Sequence, residues 1–198
     1  MKTKSTDNVN NNNYFFKQEV VFSSLKGNAV SIALVIVWFL CNSLVLYFKI
    51  HSLTFISEGF KTSFLEVEYS LPLFFLGIFF QEMIKSLMLK FLAKVKFSQQ
   101  LKGFSLTSFM PYVHSKYPIN VQHYRLILIT SSLILLPTIL LTYFFQWYSF
   151  LYLSSFWLLF SGYDLYSAFL IKTFDSSFVA ADHPDMPGVV IYHNPFID

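Results

Sequence analysis

Apolar runs of membrane-spanning length constrain this chain more than any other feature of its sequence. Residues 29–48, 126–145 and 151–171 are almost uninterrupted by charged side chains. A helix rises about 1.5 Å per residue, so each run can cross a hydrocarbon core of roughly 30 Å. Hydrophobic residues make up 55% of the 198 residues, more than a single soluble core could hide. We therefore expect an integral membrane protein.

A further apolar run, residues 71–93, contains the polar side chains Gln81, Glu82 and Lys85. Helical spacing places Gln81 and Lys85 on one face, four residues apart, with Glu82 three residues before Lys85. The last apolar run carries Asp164. A charge near the bilayer centre costs roughly 2.5 to 3.5 kcal/mol, so these groups should face each other rather than lipid. Both runs cross in the same direction, and we expect Lys85 to pair with Asp164.

Two other interpretations of these polar residues are open. In the first, the helix ends near Phe80 and residues 81–94 lie along the cytoplasmic membrane surface with their lysines in the headgroups. Residues 71–80 alone would then be too few to cross the membrane. In the second, Asp164 caps a helix or makes a helix–helix hydrogen bond beside Gly162, where small residues allow close approach.

The four apolar runs predict an all-α membrane protein, a four-helix transmembrane bundle with a small cytoplasmic cap. Residues 1–28 form a polar, partly disordered tail, in which 14–25 is an amphipathic piece on the membrane surface. Residues 29–171 form the membrane domain, including a cytoplasmic segment at 94–125. Residues 172–198 form a cytoplasmic tail. Short strands are expected at residues 95–97, 109–113 and 189–192.

The distribution of basic residues predicts the orientation of the chain in the cell membrane. Lysines are frequent in the amino-terminal tail and in the segment 94–125, whereas the loop 49–69 has only Lys49 and Lys61. The positive-inside rule therefore places both termini in the cytoplasm. Arg125 is the only arginine and the net charge is +3, which argues against nucleic acid as a partner. Cys41 has no second cysteine with which to form a disulfide.

Several motifs in this order resemble the zincin peptidase family of bacterial multi-pass membrane proteins. The resemblance covers residues 60–193. Its motifs are a Q-E-x-x-K sequence in the place of H-E-x-x-H at 81–85, Tyr112-Val113-His114, Tyr117-Pro118-Ile119, Leu136-Pro137, a small residue with Asp164, and Asp182-His183-Pro184. In that family the two motif histidines and a later carboxylate would hold zinc, with the glutamate as general base.

The resemblance implies a role for each polar residue by position. Gln81 and Lys85 stand where the histidines belong, Glu82 where the catalytic base belongs, and Asp164 where the third ligand belongs. Glutamine is a poor zinc ligand, and a protonated lysine puts a positive charge where the cation would sit. We therefore expect no zinc and no other cofactor at this site, and we expect Glu82 to be catalytically inactive.

Three functional hypotheses follow from these residues. In the first, Lys85 replaces the zinc, and the chain is a non-hydrolytic pseudo-peptidase that binds a membrane-protein or peptide partner in the bilayer. In the second, it is an active membrane metalloprotease with an atypical site, in which His114, His123 or His183 supplies metal ligands. In the third, the intramembrane charges serve a small transporter. The sequence contains neither a G-x-x-x-x-G-K-[ST] phosphate loop nor a G-x-S-x-G elbow.

Overall fold

The computed structural model describes residues 15–65, 67–105, 110–183 and 188–193. The helices in these ranges are α1 (Ser24–Ile50), α2 (Thr54–Phe60), α3 (Val67–Phe91), α4 (Val121–Thr130), α5 (Leu135–Phe144) and α6 (Ser149–Leu170). The strands are β1 (Phe15–Val21), β2 (Gln100–Ser105), β3 (Met110–Ser115), β4 (Ile119–Asn120), β5 (Phe178–Asp182) and β6 (Gly188–His193).

Three helical stretches are long and apolar enough to cross a membrane: Ser24–Ile50, Glu68–Phe91 and Val121–Phe144. The third consists of α4 and α5, which are joined by a 3₁₀ turn at Ser131–Ile134. Pro137 is the third residue of α5. A proline is tolerated in the first turn of a helix, where its missing N–H would have no helical partner. Three of the stretches expected to span a membrane therefore have the length and the apolar composition to do so.

The prediction of four membrane-spanning runs is wrong for the last one, at residues 151–171. Residues 151–171 do form most of helix α6, but α6 is not among the stretches apolar enough to count as a span. Its serines and Asp164 lower its hydropathy, and many of them face neighbouring helices rather than lipid: Ser154, Ser155, Ser161 and Ser167 are all buried. A helix surrounded by other helices does not need an apolar surface on every side.

Helix α6 is the centre of the helical part, and small residues let its neighbours approach it closely. A Cβ added at Gly162 would lie 2.0 Å from the Ser31 hydroxyl of α1. A Cβ added at Gly77 of α3 would lie 1.9 Å from the indole of Trp157. Neither space could hold a side chain, so both glycines are required by packing. The close approach beside Gly162 therefore joins α6 to α1.

An antiparallel four-stranded sheet, with the order β1-β6-β5-β4, is more extensive than the few short strands expected beside the helices of an all-α protein. The strand expected at residues 189–192 is confirmed as part of β6. Within the amphipathic piece expected at 14–25, residues 15–21 form β1 and pair with β6, and residues 24 and 25 begin α1. The first and last described segments thus belong to one sheet. The disordered part of the predicted amino-terminal tail falls mainly on residues 1–14, outside the described residues.

A hairpin of β2 and β3 is the second strand unit. The strand expected at 109–113 is present from residue 110, whereas the one expected at 95–97 is wrong. There the chain leaves α3 through Lys94, which has a left-handed backbone with φ of 56°. The Val95 amide donates to the Leu89 carbonyl across this turn, which terminates the helix. Strand β2 therefore begins only at Gln100.

The sheet covers one end of the helices. A buried cluster of Leu89, Val121, Ile171, Ala180 and Ile191 joins the ends of α3, α4 and α6 to strands β5 and β6. Hydrogen bonds between Ser86 and Gln100 attach the hairpin to α3 at the same end: the Ser86 hydroxyl donates at 2.6 Å, and the Gln100 amide donates back to the Ser86 carbonyl at 2.9 Å. We refer to the sheet and the hairpin together as the cap.

Candidate functional site

Lys85 lies between two carboxylates at the contact of α3 and α6. Its Nζ is 2.8 Å from Oε1 of Glu82 and 2.7 Å from Oδ2 of Asp164. The side chains of Lys85 and Glu82 are each 14% exposed, and that of Asp164 is 20% exposed. The contact expected between Lys85 and Asp164 is therefore present. We call Glu82, Lys85 and Asp164 the lysine cluster.

The path of α3 decides between the interpretations of these polar residues. Helix α3 continues without interruption from Val67 to Phe91, so it does not end near Phe80. The surface-helix alternative is therefore wrong. Asp164 lies deep in α6, far from its first turn, and its carboxylate pairs with Lys85 rather than capping a helix. Parallel packing of α3 against α6 brings the two side chains to the same level, as the sequence predicted.

Gln81 lies on the face of α3 that contacts α6, but it does not belong to the lysine cluster. Its side-chain amide donates to the Trp157 carbonyl at 3.0 Å and to the Ser161 hydroxyl at 2.8 Å. The residue is buried. Both donors of the amide are thereby used in joining the two helices. In this position Gln81 is a packing residue that holds α3 in register with α6.

Glu82 has one carboxylate oxygen that makes no hydrogen bond. Oε1 contacts Lys85, whereas Oε2 is buried and has no partner within the described part of the chain. A buried acceptor without a donor is costly, and such groups are rare in stable proteins. The lysine cluster therefore retains one unused hydrogen-bond acceptor.

A second polar cluster, which the sequence analysis did not foresee, lies in the cap. Nδ1 of His114 on β3 is 2.8 Å from Oδ2 of Asp182 on β5. The hydroxyl of Tyr124 on α4 donates to the other oxygen of Asp182 at 2.5 Å. The ring of Tyr112 stacks on His114 with centroids 5.2 Å apart. We call His114, Asp182 and Tyr124 the histidine cluster; it joins the hairpin, the sheet and α4.

The titration of the histidine cluster reflects its internal contacts and the nearby lysine. Burial disfavours protonation of His114, but its hydrogen bond to Asp182 and the charge of that carboxylate raise the pKa above the ordinary value. Burial acts against ionisation of Asp182, but contacts with His114 and Tyr124 lower its pKa overall. The charge of Lys85 lowers the pKa of both groups. The two clusters therefore influence each other electrostatically.

The other two histidines considered as metal ligands, His123 and His183, are not members of either cluster. His123 is exposed on α4. Nε2 of His183, just after β5, is 3.9 Å from Oε2 of Glu19 on β1. Across residues 15–65, 67–105, 110–183 and 188–193, no three His, Cys, Asp or Glu side chains are arranged to hold a metal ion. Of the three histidines considered as metal ligands, His114 is the one whose pKa is influenced by the charges of Lys85 and Glu82.

The donor set at the lysine cluster does not fit a zinc ion. The ammonium of Lys85 occupies the space between the carboxylates of Glu82 and Asp164, and it is a donor without a lone pair while protonated. The amide of Gln81 is engaged with α6.

Searches of family models, curated proteins and solved structures find no match to this chain.

Proposed function

We propose that this chain is a non-hydrolytic membrane protein, a pseudo-peptidase in which Lys85 takes the place of a catalytic metal and which acts as a binding or accessory protein. The observation that carries the proposal is the contact of one ammonium group with both carboxylates, at 2.8 Å and 2.7 Å. One positive charge between two carboxylates provides local neutralisation that a bound cation would otherwise supply. In this proposal Glu82 has lost its role as general base.

The proposed orientation places the cap and both termini in the cytoplasm. The cap end of the helices carries Lys90, Lys94, Lys96, Lys102, Lys116 and Arg125, and the opposite end carries Lys49 and Lys61. This asymmetry favours the cap as the cytoplasmic side. The lipid bilayer is the immediate partner, and a membrane-protein or peptide partner would reach the lysine cluster from within it.

Metal analysis of the purified full-length protein tests the proposal. We expect no stoichiometric zinc in the wild type. If Gln81 and Lys85 stand at former ligand positions, the double variant Gln81→His/Lys85→His should gain zinc, and adding Asp164→Asn should remove it. The single variant Gln81→His, which keeps Lys85, should stay without zinc. One zinc per wild-type chain that is lost in Asp164→Asn but kept in Glu82→Gln would favour the active metalloprotease instead, because Asp164 stands at a ligand position and Glu82 at that of the general base.

A proton-linked transporter is a second candidate because of two specific observations. The unpartnered Oε2 of Glu82 lies in the lysine cluster, and the charge of Lys85 acts on the partly exposed His114 and Asp182 of the cap. Titratable groups therefore extend from the helices to the surface. A pH gradient across proteoliposomes that decays faster with wild-type protein than with the neutral triple variant Lys85→Met/Glu82→Gln/Asp164→Asn would support transport. Equal decay with both proteins would argue against it.

A further inference from the structure

The part of the chain between Glu82 and Asp164 carries basic side chains and no acidic ones. No Asp or Glu occurs between Glu82 and Asp164. Five lysines in this interval are exposed around the end of α3 and the hairpin: Lys90, Lys94, Lys96, Lys102 and Lys116. None of them makes an ion pair with another described residue. This part of the cap therefore presents positive charge that the described chain does not neutralise.

Three of these lysines converge on one short turn. The ammonium of Lys90 is 4.7 Å from the ring centroid of Phe97, and that of Lys102 is 4.6 Å from the same centroid. Nζ of Lys116 donates to the carbonyl of Ser98 at 3.0 Å. Like charges held near each other repel, and an anion bound among them removes that repulsion. The turn at residues 97–98 is thus arranged for a negatively charged group.

Exposed aromatic rings accompany these lysines at the point where α3 leaves the apolar region. Phe91 at the end of α3 is 68% exposed, Phe97 is 44% exposed and Phe104 on β2 is 55% exposed. Lys102 and Phe104 are two residues apart on β2 and therefore point to the same face of the hairpin. Aromatic rings beside lysines at a helix end are typical of the membrane–water interface.

We propose that Lys90, Phe97, Lys102, Phe104 and Lys116, which we call the basic hairpin surface, bind the headgroups of anionic phospholipids in the leaflet next to the cap. The lysines contact the headgroup phosphates, and the phenylalanine rings enter the adjoining acyl region. An acidic soluble protein would match the charge but would not account for exposed phenylalanines at the end of a membrane-spanning helix. This proposal does not depend on the function of the lysine cluster.

The test is lipid selectivity of the full-length protein in nanodiscs that contain equal amounts of phosphatidylglycerol and phosphatidylcholine. Native mass spectrometry after release from the nanodisc measures which lipid stays bound. We expect the wild type to retain phosphatidylglycerol preferentially, and Lys90→Gln/Lys102→Gln to reduce that preference on the order of tenfold. Lys90→Arg/Lys102→Arg, which keeps the charges, should retain the preference.

The matched control is Lys49→Gln/Lys61→Gln, which removes the same charge at the opposite end of the helices. It should leave the preference for phosphatidylglycerol unchanged. The proposal is overturned if the hairpin variant keeps the wild-type preference, or if the control loses as much. It is also overturned if an acidic peptide displaces the retained lipid while Phe97→Ser/Phe104→Ser changes nothing, because a protein-binding surface would behave in that way.

Discussion

The lysine cluster and the histidine cluster contain similar chemical groups but differ in how much water reaches them. Lys85 and Glu82 are 14% exposed, whereas His114 and Asp182 are 38% and 31% exposed. A buried charge that loses its partner cannot be solvated, while a partly exposed one is screened by water. We infer from this difference that the helices depend on the lysine cluster for stability more than the cap depends on the histidine cluster.

The largest effect should follow removal of the buried cation. Lys85→Ala leaves Glu82 and Asp164 without compensation and should lower the free energy of unfolding by ~3 kcal/mol or more. Denaturant titration in detergent micelles measures it. The exposed Lys90 on the same helix is the matched control, and Lys90→Ala should change stability by about 0.5 kcal/mol or less. Equal stability of the two variants would show that the helices do not need the cation of the lysine cluster.

A smaller effect should follow loss of the Gln81 side-chain amide, which joins α3 to α6 one helical turn before Lys85. Gln81→Leu removes two hydrogen bonds and should cost about 1 to 3 kcal/mol. Ser161→Ala removes one of the two partners and should cost less than Gln81→Leu in the same titration. If Gln81→Leu were neutral, the register of α3 against α6 would depend on the Lys85 contact, on packing, and on the hydrogen bond from the Trp157 indole to the Phe74 carbonyl at 2.9 Å.

Tyr124→Phe tests the histidine cluster without changing its charge. The variant removes the hydrogen bond to Asp182 and should cost about 1 kcal/mol, because water can reach the freed carboxylate oxygen. The buried Tyr124 ring itself is kept. Hydrogen exchange of the cap amides should increase, while exchange in α3 should not. An equal increase in both regions would mean that the cap and the helices do not respond independently.

The smallest effect should be a dependence of cap stability on pH. Because the pKa of His114 is raised in the folded protein, its contribution to stability is fully present below the ordinary pKa of 6.5. That contribution is lost as the pH rises through the raised pKa. Because the pKa of Asp182 is lowered in the folded protein, its contribution to stability is fully present above the ordinary pKa of 3.8. That contribution is lost as the pH falls through the lowered pKa. The pair therefore stabilises most between these limits, by less than about 1 kcal/mol after screening.

Hydrogen exchange of cap amides at a series of pH values measures this contribution. The difference between wild type and His114→Gln should be largest between pH 4 and 6.5. It should shrink on either side. A difference that stays constant over the whole series would show that His114 acts by packing rather than by charge.

The lysine cluster could be predicted from sequence because an unpaired charge inside an apolar helix is energetically unfavourable. Charges inside apolar runs must find partners, and helical spacing with run direction leaves Lys85 and Asp164 at one level. The use of Gln81 could not be predicted in the same way. A glutamine amide can bond to any nearby carbonyl or hydroxyl, so its partners Trp157 and Ser161 depend on how the helices pack.

The cap was less accessible to prediction. Strand β1 forms only because β6, near the other end of the chain, pairs with it. The apolar and polar alternation of a short segment does not reveal such a partner. Asp182 and His114 each occur in a motif quoted for the family resemblance, yet nothing in their spacing shows that they meet. For α6, the count of spans was wrong because the serines and Asp164 within residues 151–171 make this run less apolar than the three stretches that qualify.

The most direct test of the account is whether Lys85 is the cation that the two carboxylates require. The measurement compares the unfolding free energy of Lys85→Met with that of the triple variant Lys85→Met/Glu82→Gln/Asp164→Asn. We predict that the single variant is strongly destabilised and that the triple variant recovers most of the loss, because neutral groups no longer need a cation. A single variant as stable as the wild type, or a triple variant less stable than the single one, would contradict the account.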